Sequence, residues 1–369
     1  MKKLLTLMLV LSLLLCGCTT NPPETTAPAT EAPAETTVPP TEAPTEAPTE
    51  APTEAPTEAP TEPPVPTNPL TGEVVDNEDN TRTYAVTINN VKAAMPLCGV
   101  SKADLFFEMF VNGYCTRGLA LFSDIREVSY VGSVRSLRYN FTELCQIYDA
   151  IVFHASASNP VLIHRNNAGI DYVNVESEAH PYHFRHEGRR NEGYAWEHCL
   201  FVRGQESWDY IESKDVRNTR MEDADYGLRF TEDGTPAGGE EANTIHLTLI
   251  HGPGVKKNIL KYSEEEGKYL FHQFNMDMFD GSENQYVYFE NVIIMFCRVY
   301  DKDVYHVADL LGSGEGYFAC NGQIIPIKWV HENMEDPILF TLEDGTPLEL
   351  GVGNSYIAIA PLTSTVEWE

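Results

Sequence analysis

The sequence predicts an α+β or α/β protein: an N-terminal mixed α/β domain followed by a mainly β C-terminal domain, both after a disordered tether. Three observations predict it. Apolar residues recur at helical spacing between residues 137 and 148, and short strand-like runs flank them. Beyond a stretch rich in Gly, Asp and Glu at 213–243, strand-like runs dominate. Upstream of both, proline recurs every fourth residue, which blocks helix and favours an extended chain.

The chain opens on Met1-Lys2-Lys3, and Leu4 to Leu15 is apolar apart from Thr6 and Ser12. Leu15-Cys16-Gly17-Cys18 follows, the layout of a bacterial lipoprotein signal. Cys18 is the better acceptor for the lipid, because small Gly17 precedes it, whereas bulky Leu15 precedes Cys16. The apolar stretch falls short of the roughly 20 residues of a transmembrane helix. Residues 1–17 therefore read as a cleaved signal peptide. Acyl chains on Cys18, of the palmitate type, would anchor the protein in the cell membrane at its extracellular face, each buried methylene contributing about 0.8 kcal/mol. The alternative is plain secretion with Cys18 unmodified.

Residues 18–67 read as the lipidated cysteine and its tether. Five Thr-Glu-Ala-Pro units run from Thr41 to Pro60. Such a tract cannot bury enough surface to offset chain entropy. At roughly 3.1 Å per residue it could reach on the order of 150 Å, enough to lift a domain off the membrane.

Residues 68–235 form the predicted α/β domain. Tyr84 to Ile88, Leu105 to Val111 and Gly118 to Phe122 read as strands, the last two joined through Asn112-Gly113, a hairpin signal. Leu137, Phe141, Leu144, Cys145 and Tyr148 share one helical face, with Ser133 or Ser136 as the cap. Ala150 to Phe153 reads as a buried strand, and Ser158-Asn159-Pro160 opens a second helix through about Arg165. Residues 236–369 form the predicted β-rich domain. Its strands are Ile245 to Ile250, Tyr286 to Phe289, Val292 to Val299, Gln323 to Ile327, Ile338 to Leu342 and Tyr356 to Ala360. Gly312-Ser313-Gly314-Glu315-Gly316 lacks the Lys-Ser/Thr ending of a phosphate loop and reads as a turn.

The formal charge is −30. Setting aside the two signal lysines and the nine tether glutamates leaves −23 on residues 68–369. So acidic a chain argues against nonspecific binding to nucleic acid. Cys98, Cys115, Cys145, Cys199, Cys297 and Cys320 form no Cys-x-x-Cys pair, which argues against a zinc ribbon or a thioredoxin-like centre. No cofactor is indicated. His180, His183 and His186 have a spacing that neither helix nor strand converges, so no metal site is assigned.

Gly132-Ser133-Val134-Arg135-Ser136-Leu137-Arg138 places two arginines at the expected helix start. Three residues apart, they share one side of the first turn, and with the free N–H groups there they suit a carboxylate or phosphate. The alternative is that both pair with local acids such as Glu143 or Asp149. His154 follows a strand at the end where ligands gather in α/β sheets, and serves either as a site residue or as a structural histidine. Asp104 and Glu108 would share one strand face and could divide acid and base roles, or pair with Arg117 or Lys102.

Several ordered segments resemble the YerB-like bacterial lipoprotein family. They include Asn68-Pro69-Leu70-Thr71-Gly72, Gly99 to Asp104, Thr116 to Phe122, Val131 to Ser136 and Tyr148 to Ala155. Asn291 to Ile294, Gly312-Ser313-Gly314 and Lys328-Trp329 resemble its second half. The resemblance covers about 68–365. It implies a two-part domain of unknown function on surface lipoproteins, with an α/β half before a strand-rich half, and no established activity. The family pattern Pro-His-Asn falls at Glu197-His198-Cys199, keeping His198 alone.

Three functions are open at this stage. The first is an envelope binding or accessory protein with an anion site at Arg117, Arg135, Ser136, Arg138, His154 and His198. The second is a hydrolase or transferase acting on peptidoglycan or glycan through Asp104, Glu108 and His154. The third is a scaffold docking wall-synthesis proteins.

Overall fold

Alternating apolar runs form strands wherever one face can be buried. In the computed structural model this yields β1 (Tyr84–Asn90), β2 (Leu105–Asn112) and β3 (Cys115–Phe122), then helix α1 (Tyr139–Ile147), β4 (Ile151–His154), α2 (Asn159–Ala168) and β5 (Tyr172–Asn174). Short helices α3 (Glu187–Asn191) and α4 (Gly204–Glu212) follow. The later half is nearly all strand: β6 (Thr244–Ile250), β7 (Lys256–Ser263), β8 (Lys268–Gln273), β9 (Asn291–Cys297), β10 (Gly312–Cys320), β11 (Gln323–His331), β12 (Ser355–Pro361) and β13 (Thr365–Trp368). The structure describes residues 65–75, 80–177, 179–222, 224–252 and 254–369. The expected signal peptide, Cys18 and the Thr-Glu-Ala-Pro units lie outside the described residues. So the N-terminal part is mixed α/β and the C-terminal part mostly β, as expected.

The two parts share one eleven-stranded sheet. Its order is β5–β4–β1–β3–β2–β12–β9–β10–β11, completed by Glu240–Glu241 and Leu339–Thr341, which both pair with β11. The join is β12, which runs parallel to β2 from Leu105↔Ser355 to Met109↔Ile359 and parallel to β9 on its other side. A second sheet, built around β8–β7–β6–β13, covers one face. There Phe106, Phe271, Phe289 and Tyr356 pack ring against ring, with Phe271 and Tyr356 centroids 5.2 Å apart. On the opposite face Phe107, Leu119 and Ile357 join Phe141 and Leu144 of α1 and Val161 of α2 in a second cluster. A small sheet of Val131–Gly132, Leu200–Val202 and His183–Arg185 lies beside β1, where Val131 and Val202 enter the first cluster.

Two expectations are corrected. Helix α1 starts at Tyr139, not near Ser133, and Arg138 at its cap position makes no side-chain capping bond. Residues 133–137 run extended instead, because their backbone groups find partners in β1 and in the residues after β4. That tertiary pairing outweighs the local helical pattern. Gly312 to Gly316 is not a turn but the first half of β10. Its glycines allow close approach: a Cβ on Gly314 would lie 2.5 Å from Trp329 Nε1, and one on Gly316 would lie 2.4 Å from Ile294 O.

Candidate functional site

β1 and β4 run parallel. The extended segment bridges their ends: Asn89 N donates to Ser133 O at 2.9 Å and Arg135 N to Thr87 O at 3.0 Å. From the other side Ala155 N donates to Arg135 O at 2.9 Å and Leu137 N to Ser156 O at 3.1 Å. Arg135 and Ser136 are thereby fixed at the carboxyl ends of two parallel strands, where α/β sheets place ligands.

Arg117, opposite Asn89 and Met109 in the sheet, reaches the same place. Its Nη1 donates to Ser136 O at 2.8 Å. Arg138 Nη1 donates to Leu137 O at 2.9 Å and to Ser136 O at 3.2 Å. Its guanidinium lies 4.6 Å from the Tyr305 ring centroid. Arg117 and Arg138 are only 8% and 7% exposed, yet the Nε atoms of Arg135 and Arg138 are buried without a partner. The two acids that the sequence offered as partners, Asp149 and Glu143, are committed elsewhere. Asp149 pairs with Arg82 at 3.1 Å and Arg217 at 2.5 Å, and Glu143 accepts from Asn140 at 2.6 Å. Burial, then repulsion from Arg138 and Arg135, pulls Arg117 down to about 8. Burial pulls Arg138 down to about 10, with Arg135 adding repulsion. Gathering these cations, Arg117 and Arg138 buried, without an ion-paired acid costs stability that a bound anion would return.

Beside this cluster opens a cleft of about 190 Å³, walled by Arg135, Ser136, Ser156, Glu176, Arg185, Trp196 and Glu197, whose carboxyl is held below its usual pKa by a backbone N–H, with His198, Arg135 and Arg185 adding to it. Trp196 is 55% exposed, and the Arg185 guanidinium lies 4.2 Å from its ring. His198 is near: its Nδ1 accepts from Asn89 Nδ2 at 2.7 Å, and burial, with Arg135 contributing, holds its pKa below the ordinary value. Glu176, Arg185 and Trp196 were not in the sequence-derived set. Trp196, two residues before His198, could have been flagged from its own loop. Glu176 and Arg185 carried no local signal, because the main sheet brings in Glu176 just after β5 and the small sheet brings in Arg185.

The remaining candidates do not converge. His154 is fully buried. Its Nδ1 lies 3.0 Å from Ser156 O and its Nε2 lies 3.2 Å from Arg165 Nη1. So Nδ1–H donates and Nε2 accepts, and both ring nitrogens are engaged. Burial drives its pKa down to about 4, with Arg165 contributing. His154 is a satisfied structural histidine, not a wall of the cleft.

Asp104 sits just before β2 and is pushed up to about 6 by burial. Its carboxylate ties Ser123 N and Asn68 Nδ2, fastening the first described loop to the sheet. Glu108, fully buried, faces the second sheet. Its Oε1 accepts from Thr116 Oγ1 at 2.6 Å and Asn90 Nδ2 at 2.8 Å. Its Oε2 accepts from Asn258 Nδ2 at 2.6 Å and Tyr356 OH at 2.8 Å. Lys256 Nζ is 3.3 Å away, held below its usual pKa by burial. Every lone pair of Glu108 is thus engaged inside the core. Neither carboxylate pairs with Arg117 or Lys102. Neighbours of His154 alternate, so Phe153 enters the same cluster as Phe106 while His154 points to the other face of the sheet. The sheet therefore separates His154 from Glu108, and no acid–base pair forms.

Among the described residues no group of three or more His, Cys, Asp or Glu could hold a metal ion, and no helix is long and apolar enough to cross a membrane. All six cysteines there are free, and Cys115 alone of them is exposed.

Known proteins match most of this chain. The N-terminal and C-terminal domain models of a protein family of unknown function, DUF3048, match residues 70–217 and 253–357. The candidate lipoprotein YerB of Bacillus subtilis (strain 168) is 26% identical over 311 residues, covering 79% of this chain and 86% of that protein. The crystal structure of YerB protein from Bacillus subtilis superimposes with a TM-score of 0.71 at 22% identity, covering 82% of this chain and 99% of that one. At that identity the superposition speaks for the fold alone.

Proposed function

We propose, from the premise that this chain belongs to the DUF3048 family, that it is a lipid-anchored envelope protein that binds an anionic ligand. The site is Arg117, Arg135 and Arg138 with the adjoining cleft. The ligand carries a carboxylate or a phosphate, as wall peptides and wall polymers do. One observation carries this reading: three guanidinium groups gather and none makes an ion pair among the described residues, in a chain of net charge −30, and two of their Nε–H groups are buried and unpartnered; Glu197 in the cleft wall feels Arg135 without pairing with it. Guanidinium forks suit carboxylate and phosphate oxygens. Ser136 O holds two of the guanidinium groups in place without neutralising them. The lipid anchor rests on the Leu15 to Cys18 signal and on the likeness to a candidate lipoprotein.

The test is calorimetric titration of the purified full chain with soluble peptidoglycan fragments and, separately, with inorganic phosphate. Binding of either that weakens at least tenfold in Arg135→Ala, with unfolding unchanged, supports the site; tenfold corresponds to about 1.4 kcal/mol. Unchanged affinity in that variant refutes it. Sacculi that release new fragments on incubation with the protein would instead favour a hydrolase.

A further inference from the structure

A second cleft lies apart from the arginine cluster and shares no residue with it. It holds about 790 Å³, inside the range of roughly 300–1,000 Å³ common for small-molecule sites. It opens where the two sheets part, between the tip of the β2–β3 hairpin, the end of β6 and the turn from β12 to β13. Its floor is core: Leu249 is fully buried and Ile250 is 6% exposed. Its rim is apolar yet bare, with Tyr114 53% and Leu362 67% exposed. Exposed apolar side chains gathered round a concave mouth mark an interaction site more than scattered ones do.

One wall is aromatic and preset. The His306 ring stacks on Phe110 with centroids 4.0 Å apart, and His306 Nδ1 lies 2.7 Å from Asp301 Oδ1. Asp301, the acid in the lining, is thus engaged by His306. Arg298 also lines the cleft, exposed, and no carboxylate lies within ion-pair reach of it among the described residues. In so acidic a chain, that leaves a local cation facing an apolar hollow.

We infer that this cleft is a second ligand site, for an amphiphile with an apolar body and a single anionic group. The apolar body lies on Leu249, Ile250 and Phe110 between Tyr114 and Leu362. The anionic group meets Arg298 at the edge, where it keeps part of its hydration. Long-chain carboxylates and alkyl phosphates share this chemistry.

The experiment titrates the purified full chain with two dyes of similar shape, anionic 8-anilinonaphthalene-1-sulfonate and neutral N-phenyl-1-naphthylamine. The expected result is saturable binding of both at one site. Arg298→Gln weakens the sulfonate about tenfold and leaves the neutral dye within twofold. Leu362→Asp weakens both. Displacement of the sulfonate by a long-chain carboxylate or by an alkyl phosphate then tells the two sources apart. Absence of saturable binding, or equal effects of Arg298→Gln on both dyes, overturns the inference. So does dimerisation that rises with concentration and excludes both dyes, which would make the mouth a self-association surface.

Discussion

His154 should make this fold acid-sensitive in a way that one substitution reveals. Its pKa is driven from 6.5 to about 4, chiefly by burial, while Nδ1–H donates to Ser156 O and Nε2 accepts from Arg165. The folded chain therefore keeps His154 neutral where the unfolded chain protonates it. Between pH 6.5 and 4 the unfolded state holds more protons, so stability falls as pH falls. The loss is near zero at pH 7, about 2 kcal/mol at pH 5 and about 3 kcal/mol at pH 4. Asp104 works the other way. Its pKa, raised to about 6, lets the folded state hold the extra proton between about pH 4 and 6, so acid stabilises there. A single pH profile would blur the two, and the difference between wild type and His154→Asn isolates the histidine. At pH 7.5 the variant should be less stable by about 1 kcal/mol for its altered hydrogen bonds. By pH 4.5 it should be the more stable of the two. Urea unfolding followed by tryptophan fluorescence measures both ends. Parallel losses in wild type and variant, or an imidazole NMR titration of His154 centred at 6 or above, would refute the reasoning.

Glu108→Gln should destabilise by about 3–5 kcal/mol, because Lys256 would keep a buried charge without its counter-ion. Adding Lys256→Met should recover part of that loss, and urea midpoints of the two variants check both statements. Gly204→Ala should cost about 1–3 kcal/mol in thermal unfolding, since its Cβ would lie 2.0 Å from Ile125 O and 2.3 Å from Val128 O, both backbone. Cys18→Ala should shift the protein from the membrane fraction of expressing cells to the soluble one; retention in the membrane would exclude lipid attachment at that residue.

The strands whose apolar runs alternate, such as Tyr84–Asn90 and Ser355–Pro361, were legible from the sequence, as was the buried face of α1. The β7–β8 hairpin was not. Lys256, Asn258 and Gln273 sit inside it as buried polar residues, because Glu108 and Asn90 of the other sheet satisfy them. A polar core position looks like a loop until its distant partner is known. The arginines were picked out for a reason the structure replaces: they gather beside an extended strand segment, not on a helix turn.

By itself the sequence determined what local chemistry can carry. That comprises a basic start, an apolar run and a Leu-Cys-Gly-Cys layout, a proline-spaced acidic tract, a strongly negative charge, and the period of each well-patterned helix and strand. Only the tertiary structure decided that the two halves share one sheet, that Arg117 meets Arg135 and Arg138, and that Glu108 and His154 lie on opposite faces. Those outcomes depend on strand pairing between residues far apart in the chain, down to Leu105 beside Ser355. Such pairing is selected by the burial and hydrogen bonding of the whole fold, which no local window of sequence contains.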